Sequence, residues 1–140
     1  MISLQMASQH LNFPSRSENI SLVEKLIDDV CNEYKVNEDY YGNILVAVTE
    51  AVNNALYHGN RLNPDKLVDV KFEPTNSDSV LVFRVTDEGQ GFNIDDLPDP
   101  TNPENLEKIS GRGVFLMKSL SDKIEFDNEG RTVEMQFKLN

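Results

Sequence analysis

The stretch that decides the fold is Val48-Thr-Glu-Ala-Val-Asn-Asn-Ala-Leu-Tyr-His-Gly-Asn60. Glu50 and Asn54 are four residues apart, so a helix places both side chains on one face. The opposite face of that helix carries an apolar stripe, formed by Leu45, Val48, Val52, Ala55 and Leu56. A carboxylate beside an amide oxygen suits one hydrated Mg²⁺ and one activated water or hydroxyl. A solvated polar face is the alternative interpretation of the same pair.

Two glycine motifs lie downstream of this helix. Asp87-Glu-Gly-Gln-Gly-Phe92 follows a strand-like run at 79–86, and its glycines let the backbone approach a flat or anionic ligand. Its aspartate can accept a hydrogen bond from an exocyclic amine such as that of adenine. Gly111-Arg-Gly113 opens an amphipathic helix, and a glycine-rich turn at a helix N-terminus commonly binds phosphate. Each motif alone also fits an ordinary tight turn.

Several other kinds of site are disfavoured. The chain lacks Gly-Lys-Ser/Thr, which argues against a P-loop, and neither glycine pair makes G-x-G-x-x-G in a βαβ unit, which argues against a Rossmann site. His58, before Gly59 in the last helical turn, fits a capping residue better than a catalytic one. His10 is the other histidine of the chain, so a histidine-based metal site lacks ligands. The net charge of −11 argues against nucleic acid as a partner.

The order of the three motifs is more specific than each motif alone. Glu-x-x-x-Asn on a helix, Asp-x-Gly-x-Gly after a strand and Gly-x-Gly opening a helix resemble the GHKL, or Bergerat, ATP-binding superfamily over nearly the whole chain. The fuller motifs are most similar to those of the bacterial anti-sigma factor serine/threonine kinases: Glu50-Ala-Val-x-Asn54-Ala-x-x-His58-Gly59, Asp87-x-Gly-x-Gly-Phe92 and Gly111-Arg-Gly-Val-Phe-Leu-Met117. The resemblance implies that ATP and Mg²⁺ are the cofactors.

The resemblance also implies a role for the residues of the first two motifs. Glu50 corresponds to the general base of these kinases, and Asn54 corresponds to the residue that binds Mg²⁺. A carboxylate near the γ-phosphate can take a proton from a serine hydroxyl or orient a water, which agrees with the first role. Asp87 corresponds to the residue that binds the adenine amino group, and Gly89 and Gly91 would leave room for the base.

The resemblance further implies which residues contact the phosphates and which lies near the adenine. By the resemblance, the phosphates are lined by Gly111, Arg112 and Gly113. Thr132 matches a family position near the adenine, and an ordinary strand threonine is the alternative. Relatives often carry a second glycine where Ser110 stands, and some place a basic residue, which contacts the γ-phosphate, where Ile109 stands. The contact to the γ-phosphate is therefore expected from Lys108 or Arg112.

Length and pattern predict one domain, residues 1–140, of the α+β class. Helices followed by antiparallel strands predict a two-layer α/β sandwich, with three main helices on one face of a mixed, largely antiparallel sheet. The resemblance implies the same Bergerat fold. We expect a strand at 2–12, a break at Phe13-Pro14-Ser15, a capping box of Ser15 and Glu18, and a helix from Asn37 to about His58, capped by Gly59. The irregular segment at about 93–110 is expected to be a lid over the nucleotide.

Composition and the N-terminal sequence indicate in which cellular compartment the chain is expected. No apolar run approaches the roughly 20 residues of a membrane span, and the N-terminus lacks a basic region, so we expect neither a membrane segment nor secretion. Cys31, the single cysteine, excludes an internal disulfide and agrees with the cytoplasm. It falls on an apolar helical face, which indicates a core residue rather than a nucleophile.

The sequence leads to one main hypothesis and several alternatives. By the resemblance, the chain is a protein serine/threonine kinase and anti-sigma factor, which binds a sigma factor and phosphorylates a small anti-sigma-antagonist protein. The fold family suggests a homodimer, although nothing in the sequence identifies its interface. The first alternative is a non-catalytic ATP-binding module whose nucleotide state controls partner affinity. A detached sensor histidine kinase domain and a simple ATPase with water as acceptor are the others.

Overall fold

The computed structural model describes residues 6–90 and 109–139, of which residues 109–112 are described by their backbone only. Within these ranges the chain forms three α-helices and five strands. In chain order they are β1 (Gln9–Pro14), α1 (Ile20–Glu33), α2 (Glu38–Asn53), β2 (Leu67–Pro74), β3 (Val80–Thr86), α3 (Ile109–Leu120), β4 (Lys123–Asp127) and β5 (Thr132–Lys138). A π-helical segment, Asn54–Gly59, continues α2. None of the helices in these ranges combines the length and the apolarity needed to cross a membrane.

The five described strands form one sheet in the order β1-β2-β3-β5-β4. Every neighbouring pair is antiparallel. The two-layer α+β sandwich is confirmed, and one detail is corrected, because the described sheet is antiparallel rather than mixed. The β4–β5 hairpin explains the difference: it inserts β5 beside β3, so β4, which runs parallel to β3, lies at the sheet edge and pairs with β5 alone.

The hydrophobic core lies between the helices and one face of the sheet. Alternate residues of the central strands are buried on that face, and the rings of Phe72 and Phe83 lie 5.4 Å apart there. Helix α1 contributes the apolar stripe Val23, Leu26, Ile27, Val30 and Cys31. Burial raises the pKa of the Cys31 thiol to about 12, which keeps the thiol protonated at neutral pH. Cys31 is therefore a core residue, as predicted.

The other face of the sheet is polar. Arg84 on β3 donates from Nη2 to Glu134 Oε1 on β5 at 3.0 Å, between directly opposed residues. At the first edge of the sheet, His10 and Asn12 on β1 both contact the Asp69 carboxylate on β2. Such polar pairs suit a face of an antiparallel sheet that is open to solvent.

The N-terminal strand differs from the sequence prediction. Residues 1–5 lie outside the described ranges, and the described strand runs from Gln9 through Pro14 rather than ending before Phe13. Phe13 pairs with Val68 and is buried, so burial against β2 extends the strand. Pro14 is tolerated because β1 is an edge strand.

The predicted capping box is also wrong. The 3₁₀ turn at Ser17–Asn19 has Arg16 as its N-cap, without a side-chain capping bond. The Ser15 hydroxyl instead donates to the carbonyl oxygen of Lys66 at 2.6 Å, beside the start of the neighbouring strand β2. A buried tertiary partner outcompetes the local cap for this side chain. The predicted cap of α2 is confirmed, because the Asn37 side chain accepts from the Tyr40 N–H at 3.0 Å.

The alternating sequence pattern predicts hairpins of 67–73 with 80–86 and of 121–126 with 132–139, and the β2–β3 and β4–β5 pairs confirm both. The predicted lid falls almost entirely on residues 91–108, which lie outside the described ranges. Helix α3 begins at Ile109, two residues before Gly111. Gly111 and Gly113 therefore belong to the first turns of the helix, rather than to a turn that precedes it.

Candidate active site

Helix α2 carries the first pair of predicted site residues. Glu50 and Asn54 are both half-buried, and the Asn54 backbone N–H donates to the Glu50 carbonyl, so they lie one turn apart. No other residue in the described ranges forms a hydrogen bond or ion pair with the Glu50 carboxylate. The Asn54 Oδ1 is shielded from solvent and likewise has no hydrogen-bond partner within those ranges. A buried amide oxygen without a partner is costly, so this atom is suited to a ligand.

Helix α3 packs directly over Asn54. A Cβ added to Gly113 would lie 2.9 Å from Asn54 Nδ2 and 3.1 Å from Asn54 Oδ1. The missing side chain at Gly113 thus lets the start of α3 approach the amide. The structure brings Asn54 and Gly113 together, as predicted for a shared site, and supplies a packing reason for this glycine.

The backbone changes at Asn54 from α-helical to π-helical. The Asn60 N–H donates to the carbonyl of Ala55 at 2.8 Å, five residues back instead of four. Such widened turns are rare and occur frequently at functional sites. Gly59 does not act as the predicted left-handed cap, because Gly130 is the one glycine with positive φ among those described. The reason for glycine at position 59 is its contact with the next motif.

The second motif packs against the end of this π-helical segment. A Cβ on Gly59 would lie 2.4 Å from Asp87 Cγ, so the aspartate side chain occupies the space that a larger residue would fill. A Cβ on Gly89 would lie 2.1 Å from the Gly59 carbonyl oxygen. Two glycines thus allow the Asp87–Gln90 turn to lie directly on the helix end. For Gly89 this is a packing role, in addition to the predicted role of leaving room for a base.

The Asp87 carboxylate is held in a partly desolvated position. The Gly89 N–H donates to its Oδ1 at 2.8 Å. Burial raises the pKa of Asp87 above its ordinary value, while the Gly89 N–H and the cations Arg131 and Lys66 act to lower it. A carboxylate of this kind has strong acceptor capacity and little water to compete for it.

A buried asparagine that the sequence analysis did not single out ties the turn to the rest of the fold. Asn60 is 1% exposed, and its Oδ1 accepts from the Glu88 N–H at 2.8 Å. Its Nδ2 donates to Ser15 Oγ at 2.8 Å and to the Leu67 carbonyl at 2.9 Å. The Leu67 N–H in turn donates to Glu88 Oε1 at 2.7 Å. One amide therefore joins β1, β2, the π-helical segment and the Asp87 turn.

Arg131 is the second residue that the sequence analysis missed at this site. It precedes β5, and its guanidinium donates to the carbonyl oxygens of Gly89 and Gln90. Thr132, for which the resemblance implies a place near the adenine, lies on the polar face of the sheet with its Oγ1 3.1 Å from that of Thr86. Alternation along the strand separates these neighbours, so Arg131 and not Thr132 reaches the turn. A one-residue difference in register decides which side chain faces the site.

The remaining predicted residues are only partly described. Gly91 and Lys108 lie outside the described ranges, and Gly111 and Arg112 are described by their backbone at the start of α3. His58 is exposed on the π-helical segment. The described site therefore consists of a polar pair on α2 and a glycine turn after β3.

Comparisons with known proteins agree with this arrangement. Residues 13–137 match the model of the histidine kinase-like ATPase domain. The chain is 33% identical over 134 residues to the anti-sigma F factor of Geobacillus thermodenitrificans, with 91% of this chain and 89% of that protein covered. It is 28% identical to the serine-protein kinase RsbW of Bacillus subtilis, with 93% of this chain and 84% of that protein covered.

A solved structure shows the same fold. The RsbU and RsbW domains of Rv1364c from Mycobacterium tuberculosis superpose with a TM-score of 0.63 at 16% identity. The match covers 96% of this chain, which spans about a third (33%) of that longer chain. The family match over most of the sequence and the shared fold lead to one conclusion. This chain belongs to the histidine kinase-like ATPase domain family.

Proposed function

We propose that this chain is an ATP-dependent protein serine/threonine kinase that acts as an anti-sigma factor and phosphorylates a small anti-sigma-antagonist protein. The observation that carries the proposal is a pair on α2 that has no partner among the described residues: the Glu50 carboxylate and the shielded Asn54 Oδ1 beside the start of α3. The names of two relatives, an anti-sigma F factor and a serine-protein kinase, support the same function.

The Asp87 turn is the proposed adenine site. Its carboxylate is partly desolvated. Asn60 and Arg131 hydrogen-bond to the backbone of the turn that carries it. The exocyclic amine of adenine is a donor, and an ionised buried acceptor binds a donor more strongly than water-exposed groups do. A guanine or hypoxanthine base presents an oxygen at the same position, so the turn should select adenine.

Asn54 is the proposed Mg²⁺ ligand. Mg²⁺ prefers oxygen ligands and is commonly held by one or two protein groups together with phosphates and water, which fits a single amide oxygen that no described residue engages. When bound, the ion would supply positive charge against the triphosphate. That charge matters here, because the chain itself carries a net charge of −11.

Glu50 is the proposed general base. Its side chain lies one helical turn from Asn54, and no described residue neutralises it by an ion pair. It can accept the proton of a serine hydroxyl as that oxygen bonds to the γ-phosphorus and the bond from this phosphorus to the leaving ADP breaks. Lys108 or Arg112 would contact the same phosphate. A sigma factor is the proposed second partner, and the active form is proposed to be a homodimer.

The test is phosphate transfer from labelled ATP to a serine of a purified anti-sigma-antagonist protein. Replacement Glu50→Ala should reduce transfer by about 100- to 10,000-fold while ATP affinity changes little, because a base acts on the transition state. The matched control is Glu24→Ala, which removes an exposed helical carboxylate from α1. Equal transfer by Glu50→Ala and the control would remove Glu50 from the mechanism.

One observation favours a second candidate function. Ile109 stands where related kinases carry a basic residue, so the chain could bind ATP without an efficient contact to the γ-phosphate. In that case nucleotide would control partner affinity without phosphate transfer. Partner release that depends on ATP versus ADP, with no phosphoserine formed by the wild-type chain, would select this module over the kinase.

A further inference from the structure

The guanidinium of Arg131 contacts two consecutive carbonyls of the Asp87 turn. Its Nε donates to the Gly89 carbonyl oxygen at 2.6 Å, and its Nη2 donates to that of Gln90 at 2.9 Å. The main chain adds a third bond, since the Asp87 N–H donates to the Arg131 carbonyl at 2.9 Å. The planar guanidinium fork suits two neighbouring acceptors in a way that a lysine cannot reproduce.

The guanidinium of Arg131 also contacts the turn between β4 and β5. Its Nη1 donates to the Asn128 carbonyl and to Glu129 Oε2, both at 3.2 Å. The turn between β4 and β5 has positive φ at Asn128 (54°), Glu129 (57°) and Gly130 (83°). Left-handed backbone is unfavourable for non-glycine residues and persists where the surrounding contacts enforce it. These contacts orient the guanidinium before any ligand arrives.

The other contacts of the Asp87 turn in the described ranges do not reach its last two carbonyls. The Glu88 N–H donates to Asn60 Oδ1, Glu88 Oε1 accepts from the Leu67 N–H, and Gly89 packs on Gly59. Without the Arg131 side chain, the carbonyls of Gly89 and Gln90 would lose the donors described here, although the first half of the turn would stay anchored.

We propose that Arg131 is a positioning residue for adenine recognition, which fixes the turn that presents the Asp87 carboxylate to the base. The inference rests on the proposed function in one respect, namely that Asp87 binds adenine. Arg131 touches neither the base nor the phosphates in this account and acts through the turn. The β4–β5 turn thereby becomes part of the support of the nucleotide site.

The charge of Arg131 has a second effect on the same turn. Together with Lys66, from the loop before β2, it opposes the burial that raises the pKa of Asp87. The two effects can be separated by substitution: Arg131→Gln removes the charge and the fork, whereas Arg131→Lys keeps the charge and removes the fork.

The experiment compares the affinities of ATP and inosine triphosphate, which carries an oxygen in place of the adenine amino group. The wild-type chain should prefer ATP, and Arg131→Gln should weaken ATP by about tenfold or more while changing inosine triphosphate little, because a hydrogen bond to a charged group is lost. Arg131→Lys should fail to restore the preference. The control is Arg84→Gln, which breaks an arginine–glutamate pair on the polar face of the sheet and should keep the preference.

Two results would overturn the inference: an unchanged preference for ATP in folded Arg131→Gln, or full recovery of the preference in Arg131→Lys. In an Asp87→Asn background, Arg131→Gln should add little further loss, because both substitutions remove one recognition event. If Arg131→Gln does not fold, the Arg131→Lys comparison decides alone.

A measurement without nucleotide separates this inference from the proposed function. Amide hydrogen exchange at Glu88 and Gly89, whose N–H groups are hydrogen-bonded in the turn, should speed up by about tenfold or more in Arg131→Gln and Arg131→Lys, but not in Arg84→Gln, since exchange reports local opening. A wild-type chain that binds no ATP but shows this pattern would refute the proposed function and retain Arg131 as the residue that holds the turn. Unchanged exchange would refute the positioning role.

Discussion

Asp87 combines two conflicting demands at the scale of a single residue. An ionised carboxylate is needed to accept a hydrogen bond from an adenine amine, yet burial raises the pKa of this group. Gly89, Arg131 and Lys66 oppose the effect of burial without removing it. Asp87 therefore costs folding stability in exchange for a strong acceptor, a common arrangement at functional sites.

This conflict predicts a specific pH dependence of stability. The folded-state pKa of Asp87 is higher than the unfolded value of about 3.9. At pH values between these two pKa values the folded chain binds more protons than the unfolded chain, so its stability falls as pH rises. Asp87→Asn should thus be more stable than wild type at neutral pH, and the difference should vanish below the unfolded pKa. Urea unfolding of both proteins across this range measures it. A difference that grows as pH falls would contradict the assigned direction.

At the scale of elements, two close contacts depend on the missing side chains of Gly89 and Gly113. The Asp87 turn lies on the end of the π-helical segment, and Gly89 faces the backbone of Gly59, which cannot rotate away as a flexible side chain can. The same arrangement recurs where α3 starts over Asn54, because Gly113 has no side chain. The second and third sequence motifs are thus each joined to the first by close packing at a glycine, against the backbone of Gly59 and the side chain of Asn54.

This packing predicts opposite effects for two glycine substitutions. Gly89→Ala should destabilise the fold by about 1–3 kcal/mol, since its methyl would overlap the Gly59 carbonyl. Gly42→Ala is the control: Gly42 lies inside α2 with nothing within 4 Å, so alanine should stabilise the chain by up to about 1 kcal/mol. Thermal unfolding monitored by circular dichroism compares them. A Gly89→Ala chain as stable as wild type would show that the turn can move away from the helix.

At the scale of the whole molecule, local pattern predicted the fold better than the site. The helical stripe of α1, the cap at Asn37 and the alternation of the hairpins are short-range signals, and all were confirmed. Asn60 and Arg131 were missed because their partners are distant in sequence: Arg131 lies 42 residues from Gly89. The resemblance pointed to Thr132, the next residue, and only the strand register shows that Arg131 faces the turn.

The same limit explains the other corrections. Ser15 has a plausible local partner in Glu18, but the fold supplies a buried one 51 residues away, at the Lys66 carbonyl. The position of β5 beside β3, which makes the described sheet antiparallel, is likewise a choice between strand orders that no local pattern encodes.

The central claim is that the Glu50–Asn54 pair on α2 and the Asp87 turn form one Mg²⁺-dependent ATP site. Titration calorimetry of ATP with and without Mg²⁺ tests it most directly. Wild type and Asp87→Asn should be measured side by side. We expect wild type to bind ATP more tightly with Mg²⁺, and Asp87→Asn to bind at least about tenfold more weakly, because the adenine acceptor has lost its charge. Equal binding by the two proteins, or no binding by folded wild-type chain, would contradict the claim.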